Sequence, residues 1–212
     1  WMGLSFHIDT LYMTWLTMAI VIVITMLATR KRALVPSGIQ NVVEMVLETL
    51  EAEFAPNLGK HWSKVSSLLF TFFLFICIGN ELGLLPSGGK LFSPTADINT
   101  TLGFALASSA VVWATGIRIK GIGFFKHFFE PYVALFVLNV FEEIAKVVTL
   151  AARLFGNILA GEILLEVMYN LLPAYVPLEW AWIAFSLVIG VIQAFIFTVL
   201  TSSYLSQVVA EH

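Results

Sequence analysis

The chain alternates between long apolar runs and short polar interruptions, and the spacing of the apolar positions differs from run to run. Residues 11 to 28, LYMTWLTMAIVIVITMLA, are apolar on every side and end directly in Arg30, Lys31 and Arg32. A run of that length crosses the roughly 30 Å of hydrocarbon in a bilayer, so it predicts a first membrane span. Residues 39 to 54, after Pro36, read differently. Apolar side chains recur at Ile39, Val42, Val43, Val46, Leu50 and Phe54, while Glu44, Glu48 and Glu51 line the other side. That period predicts an amphipathic helix along the membrane interface; a docking face for a partner helix is the alternative reading. Apolar runs at 65 to 85 and 98 to 117 predict a second and a third span. The stretch from Pro86 to Pro94 between them holds Ser87, Gly88 and Gly89 and reads as turns, with Asp97 or Asn99 placed to cap the third span.

The last two patterns are longer than a membrane needs. From Pro131, a favoured first-turn residue, to Leu172 before Pro173, glycine is the only helix-weakening residue. About 40 helical residues reach roughly 60 Å at 1.5 Å per residue, twice the hydrocarbon thickness. Such a helix lies strongly tilted or bends near Gly156. Residues 178 to 209 follow the tight PAYVP connection and predict a partner packed antiparallel to it. The expected architecture is an all-α integral membrane protein in a single membrane domain over residues 1 to 212. It has about five membrane helices plus one interfacial helix, and the segments 131 to 172 and 178 to 209 form a tilted hairpin.

Composition agrees with this. The chain has 212 residues, 59% of them hydrophobic and 12% charged, against about 25% charged in soluble domains; its mean hydropathy is +0.91. The formal net charge of -3 is too small to argue for nucleic acid or an acidic substrate. The single cysteine, Cys77, sits in an apolar run and excludes an intramolecular disulfide. The first apolar stretch lacks a basic lead-in and a small-residue cleavage site, so it is expected to be a retained span. Of the eleven lysines and arginines, the three after the first span, Lys60 and Lys64, and Arg118, Lys120 and Lys126 fall on one side of the membrane under this topology. Lys90 falls on the other. The positive-inside rule then puts the amino terminus outside and the carboxyl terminus in the cytoplasm.

Chemistry is concentrated on the hairpin. Arg153 stands in the middle of an otherwise apolar helix, VVTLAARLFGNILAGE from Val147 to Glu162. A guanidinium keeps its charge there, and inserting one costs at least roughly 3 kcal/mol. Snorkelling to a headgroup or a structural ion pair would be the plain explanation. Yet the nearest other charge in sequence, Lys146, is about 10 Å away and of like sign. At 100° per residue Glu142, Lys146, Thr149, Arg153 and Asn157 fall within about 40° of one line, a polar stripe on an apolar rod. Glu142 and Lys146 have the favourable i, i+4 order for a structural pair. Glu162 points to the opposite side of the helix from Arg153. The last helix carries its own stripe of Glu179, Ser186, Gln193, Tyr204 and Gln207. Glu179 in the first turn suits the helix dipole, and Gln193 must find partners in a membrane interior, a neighbouring helix or a wet path. The histidines, His7, His61, His127 and His212, fall in predicted loops or termini. Metal, phosphate-loop and nucleophile motifs are absent, so no cofactor or metal is expected.

The runs RLFGNILAGE at Arg153 to Glu162 and IQAFIFTVLTSSYL at Ile192 to Leu205 closely resemble subunit a of the F-type, proton-translocating ATP synthases, with a bacterial, Bacillus-like cast. GNELGLLP at Gly79 to Pro86, PTADINTTL at Pro94 to Leu102 and the basic GIG turn near Gly121 extend the likeness over most of the chain from the second span onward. The resemblance implies a stator subunit in the bacterial plasma membrane, non-catalytic by itself, with two offset proton half-channels facing a rotor ring of c subunits. It also implies peripheral-stalk b subunits and a separate catalytic head as partners. Arg153 would be the essential arginine facing the ring, with Asn157 and Gln193 as polar neighbours and Glu162 as the titratable position of the path. Where several members place a histidine one helical repeat before the glutamine, this chain has Ser186. Water, Ser186 or another acid, Glu166, Glu179 or Glu142, then substitutes; Tyr204 and Asn80 are further candidates for the lining. In the implied mechanism a rotor carboxylic acid stays neutral facing lipid, releases its proton beside Arg153 into one half-channel, and is reprotonated from the other. Two other classes compete. A secondary transporter predicts two similar halves, and the chain has no internal repeat; a structural scaffold predicts that the polar stripes only bind neighbouring helices.

Overall fold

Thr10 near the start of the first helix donates to Asp97 at 3.2 Å, although 87 residues separate them. That bond sets the plan of the fold, in which distant segments meet around one central helix. In the computed structural model the described residues are 8–30, 33, 35–84, 92–121, 123–124, 136–171 and 178–210. Among them the helices are α1 (Ile8–Arg30), α2 (Ile39–Leu58), α3 (Trp62–Leu84), α4 (Ile98–Lys120), α5 (Phe136–Leu171) and α6 (Leu178–Ala210), with 3-10 turns at Gly59–His61 and Pro94–Ala96. Five helical stretches among the described residues are long and apolar enough to cross a membrane, α2 and α3 with the turn between them counting as one. The chain is a multi-pass, all-α membrane protein.

Several expectations fall outside the described residues: Lys31, Arg32, Lys90 and Lys126, the turn residues from Pro86 to Gly89, Pro131, Leu172, the PAYVP connection, and His7, His127 and His212. The side chain of Glu179 does too. His61 lies in the 3-10 turn before α3.

Local chemistry fixes the helix ends. Asp97 caps α4, its side chain accepting from the Asn99 backbone N–H at 2.8 Å. α2 runs on past Phe54 to Leu58, with Pro56 inside its last turn. Pro56 lacks the N–H that a helix interior would use, but so near the carboxyl end the loss is confined to one bond. Gly59, at φ 50°, closes the helix in a conformation that a side chain would strain. Of the predicted amphipathic face Val43, Leu50 and Phe54 are buried and Val46 is half-buried, with Glu48 and Glu51 exposed, whereas Ile39 and Val42 at the start of the helix are exposed and Glu44 is half-buried.

α3 is the hub. Val65, Leu69, Phe72, Phe73, Leu74, Phe75 and Ile76 are buried, and Phe72 meets Phe104 of α4 and Phe197 of α6 edge-on at 5.9 and 5.8 Å. Hydrocarbon does not drive apolar helices together, so close packing through small residues has to. Gly79 provides such a place: a Cβ there would meet Pro94 at 3.1 Å and the Thr17 methyl at 3.6 Å. Pro94 and Thr95 are themselves buried, so the 3-10 turn is a wedge inside the bundle, touching α1, α3, α4 and α5.

α5 and α6 run antiparallel. Lys146 meets Tyr204, Asn157 meets Gln193 and Gly161 meets Trp182, one number rising as the other falls. α5, with 36 residues, spans about 54 Å at 1.5 Å per residue. It is unbroken through Gly156. A rod of that length does not stand upright within about 30 Å of hydrocarbon.

Candidate functional site

The buried stripe of α5 is Leu150, Ala151, Leu154 and Ile158, packed into the bundle. Arg153 and Glu162, nine positions apart, are turned roughly 180° from one another about the helix axis, so they lie on opposite flanks of that stripe. Arg153 is exposed on the chain and makes no ion pair or hydrogen bond among the described residues. Along its own face of α5 lie Thr149, Gly156, Asn157 and Ala160, all exposed, and the rest of the hairpin exposes large apolar side chains, Ile144 and Val148 on α5 and Val188, Val191 and Ile192 on α6 among them. One permanent cation therefore sits in a narrow polar stripe on a helix that is otherwise largely apolar.

Beside it the two predicted polar stripes meet. Asn157 Nδ2 donates to Gln193 Oε1 at 2.7 Å, and Gln193 is buried at 2% exposure. This is the partner that an amide in a membrane interior requires, worth about 0.6 kcal/mol on average between membrane helices.

Glu162, on the other flank, is half-buried and accepts from the Ser93 backbone N–H at 3.0 Å. A polar row continues from there. Ser93 Oγ and Thr95 Oγ1 are 2.6 Å apart, Thr95 Oγ1 donates to Asn80 Oδ1 at 2.6 Å, and Asn80 Nδ2 donates to the Gly190 carbonyl at 3.1 Å. Ser93, Thr95 and Asn80 are buried, at 4%, 0% and 0% exposure. Gly83 makes room for this: a Cβ there would fall 2.6 Å from Glu162 Oε1 and from the Ser93 nitrogen. Ser186 is buried close by, its Oγ 3.9 Å from where a Cβ on Gly161 would lie. Glu166, one turn beyond Glu162, is exposed.

Toward the start of α5 the stripe becomes ionic. Lys146 Nζ pairs with Glu143 at 2.7 Å and with Glu142 at 3.2 Å, and lies 5.6 Å over the Tyr204 ring. Glu143 also accepts from Trp113 Nε1 of α4 at 3.1 Å. Thr149, read as part of the stripe, spends its hydroxyl on the Ala145 carbonyl of its own helix at 2.7 Å. A cleft of about 680 Å³ between α4 and α5 is walled almost wholly by carbon, Leu106, Val140 and Val147 among its residues. Acyl chains fit such walls; protons and water do not.

Ser93, Thr95, Glu143 and Glu81 were not singled out from the sequence. Glu81 lies inside an apolar span, and the rule that flags Arg153, an ionisable residue within a spanning segment, flags it as well.

The family model described as ATP synthase A chain matches residues 11–206. The chain belongs to that family. Curated relatives agree over nearly its whole length. ATP synthase subunit a of Desulforamulus reducens is 39% identical over 99% of this chain and 82% of the relative. ATP synthase subunit a of Streptococcus agalactiae is 37% identical over 96% and 91%, and that of Gloeobacter violaceus is 39% identical over 99% and 87%. As a member of the ATP synthase A chain family, the chain is a membrane-sector subunit of an ATP synthase.

Proposed function

We propose that this chain is the ion-conducting stator of its complex: it forms two offset proton half-channels, kept apart by Arg153, against a rotor ring of c subunits. The observation that carries this reading is Arg153, exposed within a spanning helix and without an ion pair among the described residues, with Glu162 on the opposite flank and a buried stripe between them. A fixed cation on a lipid-like surface is costly unless a partner surface supplies anions, and a ring of membrane acids supplies them. A rotor carboxylic acid arriving beside the guanidinium gives up its proton, because the nearby positive charge favours the ionised form. The same charge repels hydronium and keeps the two aqueous pockets from joining. Each charge moved through 100 mV releases about 2.3 kcal/mol to drive rotation.

In this reading Glu162, Asn157 and Gln193 serve the path with Arg153, while Ser186, Asn80, Glu142, Glu166, Glu179 and Tyr204 line the half-channels. All lie in a single membrane domain, residues 1 to 212. The subunit is non-catalytic by itself; b subunits brace it, and a separate head makes ATP. It resides in a bacterial plasma membrane with the amino terminus outside and the carboxyl terminus in the cytoplasm, an orientation supported by the distribution of lysine and arginine.

The test is proton-driven ATP synthesis by the whole complex in sealed vesicles. Arg153→Ala abolishes synthesis while leaving the complex assembled, and Arg153→Lys impairs it, since lysine loses its charge more readily when desolvated. Synthesis at the wild-type rate with Arg153→Ala overturns the proposal.

A further inference from the structure

We propose that Glu81 is a second proton-carrying carboxylate of the Glu162 half-channel, standing at the far end of the polar row from Glu162. The inference rests on the half-channel reading above and adds to it a group on α3. Its first support is an orphan atom: Glu81 Oε1 is buried and has no hydrogen-bond partner among the described residues. Buried polar atoms are nearly always paired, so an unpaired one marks a place that a water or a mobile proton completes. A carboxylate also contributes nothing to helix packing that an apolar side chain would not contribute better. Its presence inside an apolar span calls for a use.

The second support is the fit around it. Glu81 Oε1 occupies the gap left by Gly190 on α6, 3.0 Å from where a Cβ would stand. Glu162 Oε1 occupies the matching gap at Gly83 on α3. Two glycines on two helices thus each leave space for one carboxylate. Asn80 lies between them around the axis of α3, about 100° from Glu81 and 60° from Gly83. Its amide joins the two sides, donating to the Gly190 carbonyl beside Glu81 and accepting from Thr95 on the side of Glu162. The carboxylates, both on half-buried residues, stand at opposite ends of one buried polar row. Each takes up a proton from one side and passes one on to the other, through water along the row, and is returned unchanged.

The experiment is proton-driven ATP synthesis by the whole complex in sealed vesicles, with recovery of assembled complex measured first. Glu81→Gln lowers synthesis roughly a hundredfold, the lower end of what a positioned proton-transfer group contributes. Glu81→Asp restores most of it, which a role in shape alone would not do. Gly190→Ala, which keeps the carboxylate but pushes its flexible end aside, gives an intermediate loss. Wild-type synthesis with Glu81→Gln overturns the proposal, as does an aspartate no better than glutamine. If Glu81→Gln fails to assemble, Gly190→Ala decides, and unchanged synthesis there overturns the proposal. Glu162→Gln and Arg153→Ala run alongside. Loss with these two but not with Glu81→Gln sinks the Glu81 role alone; no loss with any of the three sinks the half-channel reading and this inference with it.

Discussion

Lys146 and Glu162 stand about 24 Å apart on one helix, and their neighbourhoods are built from different chemistry. Lys146 is held by two carboxylates of its own helix, by an aromatic ring of α6 and, through Glu143, by a tryptophan of α4. Charge is neutralised there at short range, and the Glu142 side chain stays 63% exposed. Glu162 has no cation beside it among the described residues. It is held by a backbone N–H from the wedge between α3 and α4, and the groups beyond it are hydroxyls and amides buried in the bundle. The Lys146 end is built from opposite charges in contact, the Glu162 end, among the described residues, from neutral donors alone. On the reading proposed above, proton chemistry belongs to the Glu162 end and anchoring to the Lys146 end.

Three experiments probe that contrast, beginning with the largest effect. Gly83→Ala drives a Cβ to 2.6 Å from both Glu162 Oε1 and the Ser93 nitrogen. Backbone gives way poorly, so the expected loss is about 1–3 kcal/mol of stability with proton-driven synthesis reduced in parallel; thermal unfolding of the complex reads the first. If Gly83→Ala behaves as wild type, the Glu162 end is looser than described and the contrast weakens. A double-mutant cycle on Asn157→Ala and Gln193→Ala comes next, with an expected coupling of about 0.6 kcal/mol and at most about 1.7. Zero coupling would mean the amides serve water rather than each other. The smallest effect belongs to Glu142→Gln, because Glu143 keeps Lys146 paired. A change under about 0.5 kcal/mol is expected for so exposed a pair, with ATP synthesis lowered only slightly, as for a lining residue; a large loss of synthesis would move proton chemistry to the Lys146 end as well.

Much of this was legible in the sequence because it is local. Apolar runs mark helices by length, the period of α2 separates its carboxylates from its buried face, Asp97 announces the start of α4, and Arg153 stands out against its own neighbours. The Glu142 and Lys146 pairing follows from i, i+4 spacing alone. What remained hidden is long-range. Glu162 and Ser93 are 69 residues apart, and Asn80 and Gly190 are 110 apart; no periodicity within one helix encodes such meetings. The wedge read as an ordinary turn because its residues, Ser93, Pro94 and Thr95, are turn residues, and only the fold reveals that four helices close over it. Glu81 was legible in principle as an acid within a span, but its nearness to the span's end made it resemble a boundary residue.

The grip on Glu162 comes from a main-chain N–H, and this has a consequence for how such a site varies and how it is searched for. Replacing the side chain at position 93 leaves that donor in place, so a scan by alanine passes over the contact without registering it. Proline alone among the twenty residues deletes it. The course of the main chain at Ser93, rather than the side chain it carries, sets where this acid is held.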